Sequence, residues 1–398
     1  MGLLMPGNVS PLPKSPLRRF RFFLPGSVGL FLLFLGCQPF VAPPELVREP
    51  PLWTQLGGDP GRTNVAKEGV RPELERVWDK RMPGGVGPVL LVRGTMVAVP
   101  TMKGETRFLD LRTGKKRGKI KYGKNAVTGV WPNDSVYVVV GRIEHRSVGA
   151  YNLRRGKWLW RRALGLVDSE PLTWDDRVLV CSTYGKVTLL DVATGKILWQ
   201  KRLKGQIRSS PAALDSLVFV ATDRGQVVAL DRKSGTVVWK KKLGTAVVAP
   251  LAARDSLLFV GTWDSTLHAV RAASGSEVWH FEAGGRFYQG FAATEERLLA
   301  ATADHVVHCF AKADGRVLWE TTLPAPAGTA PLVSGDVVWL GGLDRHLYAL
   351  KVATGERLWD TKLRGRVRTW PVVANGWLYV ASEEYRVYGF RPKRGSLR

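Results

Sequence analysis

The sequence predicts an all-β fold, an eight-bladed β-propeller built from four-stranded antiparallel blades. Three observations predict it. A glycine recurs every forty residues, a tryptophan follows it four residues later, and each unit holds short runs of Val, Leu, Phe and Tyr between turn residues. Four short strands in about forty residues are typical of one propeller blade. No window keeps a helical period for a dozen residues, so helix is disfavoured.

The period is strict over the second half of the chain. The glycines in register are Gly195, Gly235, Gly275, Gly315, Gly355 and Gly395, and the tryptophans are Trp199, Trp239, Trp279, Trp319 and Trp359. An earlier repeat keeps Gly156 with Trp160, whereas the first keeps Gly114 but has Gly118 where the tryptophan belongs. Glycine permits a positive φ, and tryptophan offers a large apolar body with one N–H donor. We therefore expect each tryptophan to dock on the glycine turn of a neighbouring blade.

The two ends of the repeat region are expected to close the ring. The last repeat begins at Pro371 and reaches Gly395 without a tryptophan strand, whereas Trp78 has the position of such a strand with no blade before it. We predict that residues 72–82 complete the last blade, because closure removes open sheet edges. Eight blades follow from the inner-strand starts at residues 88, 129, 171, 211, 250, 290, 331 and 371.

The N-terminal region is predicted to be an export signal, residues 1–36. Basic residues from Lys14 to Arg21 precede an apolar stretch of about fourteen residues, which is too short to span a bilayer. The following LFLGC resembles a bacterial lipoprotein cleavage box, with Cys37 as the acylated residue; the alternative is an ordinary signal peptide with an incidental cysteine. Gln38 after the cysteine favours, by resemblance to the enteric sorting rule, the outer membrane with the protein facing the periplasm.

The remaining boundaries follow from composition. Residues 37–51 are expected to form a proline-rich tether that lifts the propeller off the membrane, because five prolines stiffen the chain. A leading segment (52–71), the propeller (72–395) and a short tail (396–398) complete the chain.

The charge is strongly basic and uneven. The net charge is +25, and residues 111–164 hold fourteen basic and two acidic side chains, whereas residues 245–323 hold six and nine. Two interpretations stay open. The basic sector is a solvated surface of a protein from a basic proteome, or it contacts acidic protein, anionic lipid or a polyanion. No nucleic-acid partner is expected.

Catalytic and metal sites are not predicted. The chain has no P-loop, nucleophile elbow or HExxH motif, and its six histidines have no zinc spacing. Cys181 and Cys309 lie three blades apart and are expected to be buried and unpaired. Six side chains in the loops before inner strands are expected to converge at one channel mouth, where they either bind a carboxylate, phosphate or peptide or only fill the opening: Arg208, Arg286, Tyr288, Arg366, Arg368 and Trp370.

The repeat resembles a known family. Asp191–Trp199 resembles the D-x-x-T-G-x-x-x-W of pyrroloquinoline-quinone-type propellers, and residues 51–66 look like the opening segment of that superfamily. Its dehydrogenases carry adjacent cysteines and a calcium-binding set of Glu, Asn and Asp. No Cys-Cys pair occurs here and asparagine is scarce in the repeats, so no cofactor is expected.

With the lipoprotein signal and the tether, the chain resembles the propeller lipoproteins of the outer-membrane β-barrel assembly machinery, the BamB family. The resemblance implies a non-enzymatic monomer within a complex, which docks on the periplasmic domains of the barrel-forming core subunit. Turns of the form A-L-D-x-x-S-G contribute to docking in that family. Residues 229–235 match, so Leu230, Arg232 and Lys233 are candidate docking residues, although neighbouring turns are similar. A binding lipoprotein of another envelope pathway and a cofactor-dependent enzyme remain the alternatives.

Overall fold

Eight sheets follow one another along the chain in a computed structural model that describes residues 39–43, 51–123, 126–141 and 147–393. The sheets are antiparallel, apart from one short parallel strand that joins the seventh. Each sheet is one blade, and the described residues belong to one compact unit that starts at Pro39. No helix among these residues is long and apolar enough to cross a membrane. The predicted all-β, eight-bladed class is confirmed.

The strands follow the predicted repeats, except that the inner strand of blade 2 begins at Ala126, three residues before the predicted start at residue 129. Three strands precede the first complete blade, and they are β1 (Pro51–Trp53), β2 (Val65–Ala66) and β3 (Leu74–Arg81). Blades 1 to 4 comprise β4 (Leu91–Arg93), β5 (Met96–Thr101), β6 (Glu105–Asp110) and β7 (Lys116–Lys121); β8 (Ala126–Asn133), β9 (Val136–Gly141), β10 (Val148–Asn152) and β11 (Lys157–Arg162); β12 (Leu172–Trp174), β13 (Arg177–Cys181), β14 (Lys186–Asp191) and β15 (Ile197–Arg202); and β16 (Ala212–Leu214), β17 (Leu217–Ala221), β18 (Gln226–Asp231) and β19 (Val237–Lys242). Blades 5 to 8 comprise β20 (Ala252–Arg254), β21 (Leu257–Gly261), β22 (Thr266–Arg271) and β23 (Glu277–Glu282); β24 (Ala292–Ala293), β25 (Arg297–Ala301), β26 (Val306–Ala311) and β27 (Val317–Thr322); β28 (Leu332–Ser334), β29 (Val337–Gly341), β30 (His346–Lys351) and β31 (Arg357–Lys362); and β32 (Val372–Ala374), β33 (Trp377–Ser382) and β34 (Arg386–Pro392).

The ring closes between the two ends of the repeat region. Strand β3 pairs antiparallel with β34, and Trp78 lies opposite Gly389. Blade 8 therefore takes its outer strand from residues that precede blade 1 in the sequence. The predicted closure is confirmed, and it covers the edge that β34 would otherwise leave unpaired.

The middle strands of each blade are covered on both faces, because neighbouring blades stack against them. In blade 4, all of Val227–Leu230 on β18 is buried, whereas the outer strand β19 alternates between half-buried and exposed side chains. Buried valines, leucines and alanines of adjacent blades form the hydrophobic clusters between sheets. The outer strands and the turns thus supply the surface.

Six tryptophans join neighbouring blades in the same way. The Trp160 ring lies over Gly195, where an added Cβ would be 2.5 Å from the indole, and Gly195 has φ +68°. Each indole Nε1 donates to a backbone carbonyl of the following blade. The acceptor is the first residue after the third strand of that blade, at the start of its glycine turn. The pairs are Trp78–Leu111 at 3.1 Å, Trp160–Val192 at 2.8 Å, Trp199–Arg232 at 3.2 Å, Trp239–Ala272 at 2.8 Å, Trp279–Lys312 at 2.9 Å and Trp319–Val352 at 2.9 Å. Gly114, Gly235, Gly275, Gly315 and Gly355 lie under five of these rings.

The pairing of Trp359 with Gly395 falls outside the described residues, since the description ends at residue 393. The Trp359 ring packs against Trp339 with ring centres 6.0 Å apart.

The interface between blades 1 and 2 has Gly118 at the position of the repeat tryptophan, and an N-terminal segment occupies the place of the missing indole. Phe40 lies where a side chain at Gly118 would be, and its ring stacks on Phe108 with centres 4.4 Å apart. The backbone N–H of Ala42 donates to the Leu153 carbonyl at 2.8 Å, which is the acceptor position that indoles use elsewhere. Residues 39–41 also cover Gly156. This part of the expected tether is therefore docked on the propeller.

Candidate functional surfaces around the central channel

The antiparallel connections divide the surface into two faces. The glycine turns lie at one end of the strands, so we call that side the glycine-turn face. The opposite side carries the loops that lead from each outer strand to the next inner strand. It also carries the turns between second and third strands, and we call it the aromatic face after Tyr184, Trp263, Tyr288 and Tyr385. The inner strands surround the central channel that joins the two faces.

The chain fills its own central channel. Strand β1 pairs with the inner strand of blade 1, and β2 pairs with that of blade 7. Between them, residues 54–64, the channel segment, contact the inner strands of blades 2 to 7 in order. One backbone N–H of each inner strand donates to an oxygen of this segment, at 2.7–3.1 Å. The donor–acceptor pairs are Trp131–Thr54, Thr173–Gln55 (side-chain oxygen), Ala213–Pro60, Ala253–Gly61, Ala293–Thr63 and Val333–Asn64. The channel is therefore occupied by protein rather than open.

Arg62 holds the channel segment in place. Its side chain is fully buried and donates to the carbonyls of Leu56 and Glu170 at 3.1 and 2.9 Å, and to those of Pro171 and Pro211. Burial lowers the pKa of Arg62 to about 10, although the nearby Glu170 favours its charged form. A buried guanidinium with this many acceptors stays charged at neutral pH and fixes the segment to blades 3 and 4.

Four exposed aromatic side chains lie on the aromatic face. Tyr184, Trp263 and Tyr385 lie in turns between second and third strands, and Tyr288 lies in the loop before β24. Between 40 and 51 % of each residue is exposed. Exposed Trp and Tyr on a rigid β scaffold are typical of protein-binding surfaces.

A pocket of about 350 Å³ lies among the aromatic-face loops of blades 6, 7 and 8. Arg286, Tyr288, Gln289 and Arg368 line it with Thr302 and Leu343. The Arg286 guanidinium lies 4.5 Å over the Trp263 ring, which in turn meets Tyr288 edge-on at 5.6 Å between centres. The pocket therefore combines cations with aromatic walls, a composition that suits a carboxylate or a peptide side chain.

The structure brings three of the six predicted channel-mouth residues to this pocket. Arg286, Tyr288 and Arg368 line it, and Arg368 also pairs with Glu383 at 2.5 Å. Arg208 is exposed on the same face and bonds Gln206, and Arg366 is exposed, but neither lines the pocket.

Trp370 corrects one expectation, because it is buried rather than presented to a ligand. Its Nε1 donates to Gln289 at 3.4 Å and its ring lies against Gly290, at the start of the inner strand of blade 6. The side chain therefore reaches across the channel from blade 8. It closes the mouth above the channel segment.

The candidate docking turn lies on the opposite, glycine-turn face. Leu230 is fully buried between blades, so the expectation that it contacts a partner is wrong: the Ala-Leu-Asp residues end the covered strand β18. Arg232 is half-buried beside Trp174, with its guanidinium 5.2 Å from the ring centre, and Lys233 is exposed. The side chains of this turn that remain available are Arg232 and Lys233.

The titratable groups buried among the described residues occur singly or in pairs. Among the described residues no group of three or more His, Cys, Asp or Glu side chains is placed to hold a metal ion. Cys181 and Cys309 are both free and buried, and burial raises the pKa of Cys181 to about 12. His268, His308 and His346 each face a carboxylate on their own blade. These contacts are structural pairs on the sheets.

A family model described as outer membrane protein assembly factor BamB matches residues 144–263 and 263–398. The chain belongs to this family. The propeller resemblance expected from the repeats is thereby confirmed. No curated protein matches the chain in sequence.

Solved structures share the fold at low identity. The crystal structure of BamB from Moraxella catarrhalis is 19% identical, with a TM-score of 0.66 over 80% of this chain and 99% of that one. The quinohemoprotein alcohol dehydrogenase from Comamonas testosteroni is 13% identical, with a TM-score of 0.74 over 88% and 83%. The computationally designed Ika8 protein is 15% identical, with a TM-score of 0.71 over 78% and 98%. At these identities the likeness shows the fold alone.

Two features of the site escaped the sequence reasoning. Trp263 lies in a turn between the second and third strands, where the equivalent residues of other repeats are Thr183, Asp223, Ala303, Leu343 and Glu383, and a tryptophan in such a turn is a signal for a surface role. The role of Arg62 could not be predicted, because a single arginine in a glycine-rich segment is expected to be exposed to solvent unless the segment is known to lie in the channel.

Proposed function

We propose that the protein is a non-enzymatic, lipid-anchored periplasmic scaffold, which docks on the core subunit of the outer-membrane β-barrel assembly machinery. Family membership supports the pathway, and the resemblance of LFLGC, which ends at Cys37, to a lipoprotein cleavage box supports the anchor. The observation that carries the proposal is the set of exposed Trp and Tyr side chains on the aromatic face. Residues 54–64 fill the central channel, so this face itself is the surface available for contact.

The aromatic face fits a protein partner better than a small substrate. Its Trp, Tyr and Arg side chains are the types that dominate binding energy at interfaces. The pocket beside Tyr288 is large enough for one anchoring side chain, and Arg286 and Arg368 would pair with a carboxylate on the partner. We infer that the core subunit docks here.

Affinity purification from detergent-solubilised envelopes tests the proposal. The wild-type protein is expected to recover the barrel-assembly core subunit. The double variant Trp263→Ala/Tyr288→Ala is expected to lose at least about tenfold of that recovery, since two exposed aromatic anchors are removed. The matched control is Val278→Ala/Leu318→Ala, which truncates comparably exposed side chains on the outer strands of blades 5 and 6.

A second double variant decides between the two faces. Arg232→Glu/Lys233→Glu reverses the charge of the glycine-turn candidate. Loss of the core subunit in this variant, with full recovery in the aromatic one, would move the docking site to the glycine-turn face. Recovery of a different envelope protein by the wild type would reject the pathway, and a chromophore retained after addition of quinone and calcium would reject the non-enzymatic role.

A further inference from the structure

The N-terminal docking fixes where the chain leaves the propeller. Phe40 fills the interface between blades 1 and 2 at Gly118, and Ala42 bonds Leu153. The hydroxyl of Tyr151 donates to the Phe40 carbonyl at 3.0 Å, which ties the same residue to blade 2. Val41 beside it is half exposed, at 51 %. The segment therefore emerges at the outer rim of blades 1 and 2.

Chain length places the lipid attachment near this rim. Cys37 precedes Pro39 by two residues, and two residues span at most about 7 Å of extended chain. The inference in this subsection rests on the proposed lipid anchor. Given that anchor, the acyl chains are attached within this distance of the docked residue Pro39.

The same rim concentrates positive charge. Its exposed basic side chains lie on the turns and outer strands β7 and β11, and they are Arg112, Lys115, Lys116, Arg117, Lys121, Arg154, Arg155, Lys157, Arg161 and Arg162. Arg117 pairs with Asp110, and Arg161 lies over Trp158. The rest of this set has little acidic charge to balance it, because residues 111–164 contain two acids in all.

We propose that the rim of blades 1 and 2 is a membrane-contact surface, which binds the phosphate headgroups of anionic lipids in the bilayer that holds the anchor. Two independent observations coincide there, the exit of the N-terminal segment and the excess of Lys and Arg. Basic residues next to a lipid anchor gain affinity for an anionic surface. With this rim on the membrane, the axis of the propeller lies parallel to the bilayer. The aromatic face then points along the membrane surface rather than towards the lipid.

The opposite rim lacks both features. In blade 6, Ala313 and Asp314 stand before Gly315, where blade 2 has Arg154 and Arg155 before Gly156. The outer strands of blades 5 and 6 carry Glu277, Glu282 and Glu320. These rims have the same backbone geometry, so a comparison between them isolates the effect of charge and anchor.

Fluorescence quenching on the full lipoprotein tests the proposal. A dye is attached at Lys157→Cys or at Arg316→Cys, which are exposed and directly follow the glycine of blades 2 and 6. The buried Cys181 and Cys309 stay unlabelled. The protein is inserted through its anchor into phosphatidylcholine vesicles with or without phosphatidylglycerol, and the quencher sits on the lipid headgroups. With phosphatidylglycerol, the dye at position 157 is expected to be quenched about twofold or more over the dye at 316.

Charge variants separate headgroup binding from mere proximity. Arg154→Gln/Arg155→Gln is expected to reduce the difference between the two positions, as is high salt, which screens exposed charges. The control Arg271→Gln/Lys351→Gln removes two exposed charges on blades 5 and 7 and is expected to leave the difference intact.

The outcomes distinguish the failures. Protein that inserts but shows equal quenching at both positions overturns the membrane-contact surface alone. The same holds if quenching at 157 is unchanged in the Arg154→Gln/Arg155→Gln variant, or if the rim binds soluble polyphosphate without any vesicle effect. Protein that does not insert at all contradicts the lipid anchor, and therefore the proposed function.

Discussion

The rims of blades 1–2 and of blades 5–6 share one backbone plan and present opposite surfaces. In blades 5 and 6, Trp279 and Trp319 seal their interfaces, and the outer strands carry glutamates. At the interface of blades 1 and 2, Phe40 takes the tryptophan position and the rim is basic. The repeat therefore determines the backbone of both rims, and the residues that depart from the repeat give each rim its own surface.

The largest expected difference lies in stability. Trp239→Ala leaves a cavity in a regular interface and removes the bond to Ala272, so it is expected to cost about 3–5 kcal/mol of unfolding free energy. Phe40→Ala is expected to cost about 1–2 kcal/mol, because a segment near the chain end can undock locally while the ring stays folded. Chemical denaturation of both variants measures the difference. Equal losses would show that the N-terminal segment is an integral part of the ring.

Restoring the tryptophan sharpens the comparison. Gly118→Trp puts an indole in the space that Phe40 fills, so residues 39–43 are expected to be expelled while the ring keeps its stability. Limited proteolysis is expected to cleave this segment several times faster than in the wild type. The control Gly118→Ala also crowds Phe40 but supplies no replacement ring, so it is expected to lower stability. If residues 39–43 of the Gly118→Trp protein stay resistant to proteolysis, the Phe40 side chain and the repeat indole do not occupy equivalent positions.

Acid is expected to act on the glycine turns of blades 3 and 4 but not on that of blade 2. The Thr194 hydroxyl holds the pKa of Asp191 below its ordinary 3.8, and Ser234 does the same for Asp231. A lowered folded pKa stabilises the protein above about pH 4, and the contribution is lost as the pH falls through the folded pKa. Asn152 caps the blade 2 turn without titrating.

The measurement is the denaturation midpoint at pH 5 and at pH 3, which is expected to be lower at pH 3. The variant Asp191→Asn/Asp231→Asn, which copies Asn152, is expected to flatten this dependence. An equally steep loss in the variant would locate the acid sensitivity elsewhere.

The fold was largely predictable and the surfaces were not, for a physical reason. The same contact between tryptophan and glycine recurs in almost every repeat, so its spacing is visible in the sequence. The position of Trp78 relative to that spacing was enough to predict the ring closure. Phe40 and Arg62 each occur once, and their roles depend on which blades the chain passes. A usable signal did exist for Phe40, since Gly118 leaves a tryptophan position empty. The prediction for Leu230 was wrong because residues 229–235 were interpreted as a turn, whereas their first residues belong to the buried strand β18.

In-cell photo-crosslinking tests the central claim, that this propeller acts by contact with different partners on different sides. A crosslinking residue is placed at Tyr288 on the aromatic face, at Lys157 on the basic rim or at Arg316 on the opposite rim. We expect Tyr288 to capture the barrel-assembly core subunit, Lys157 to capture lipid, and Arg316 to capture neither. Capture of the core subunit from Arg316 but not from Tyr288 would contradict the account.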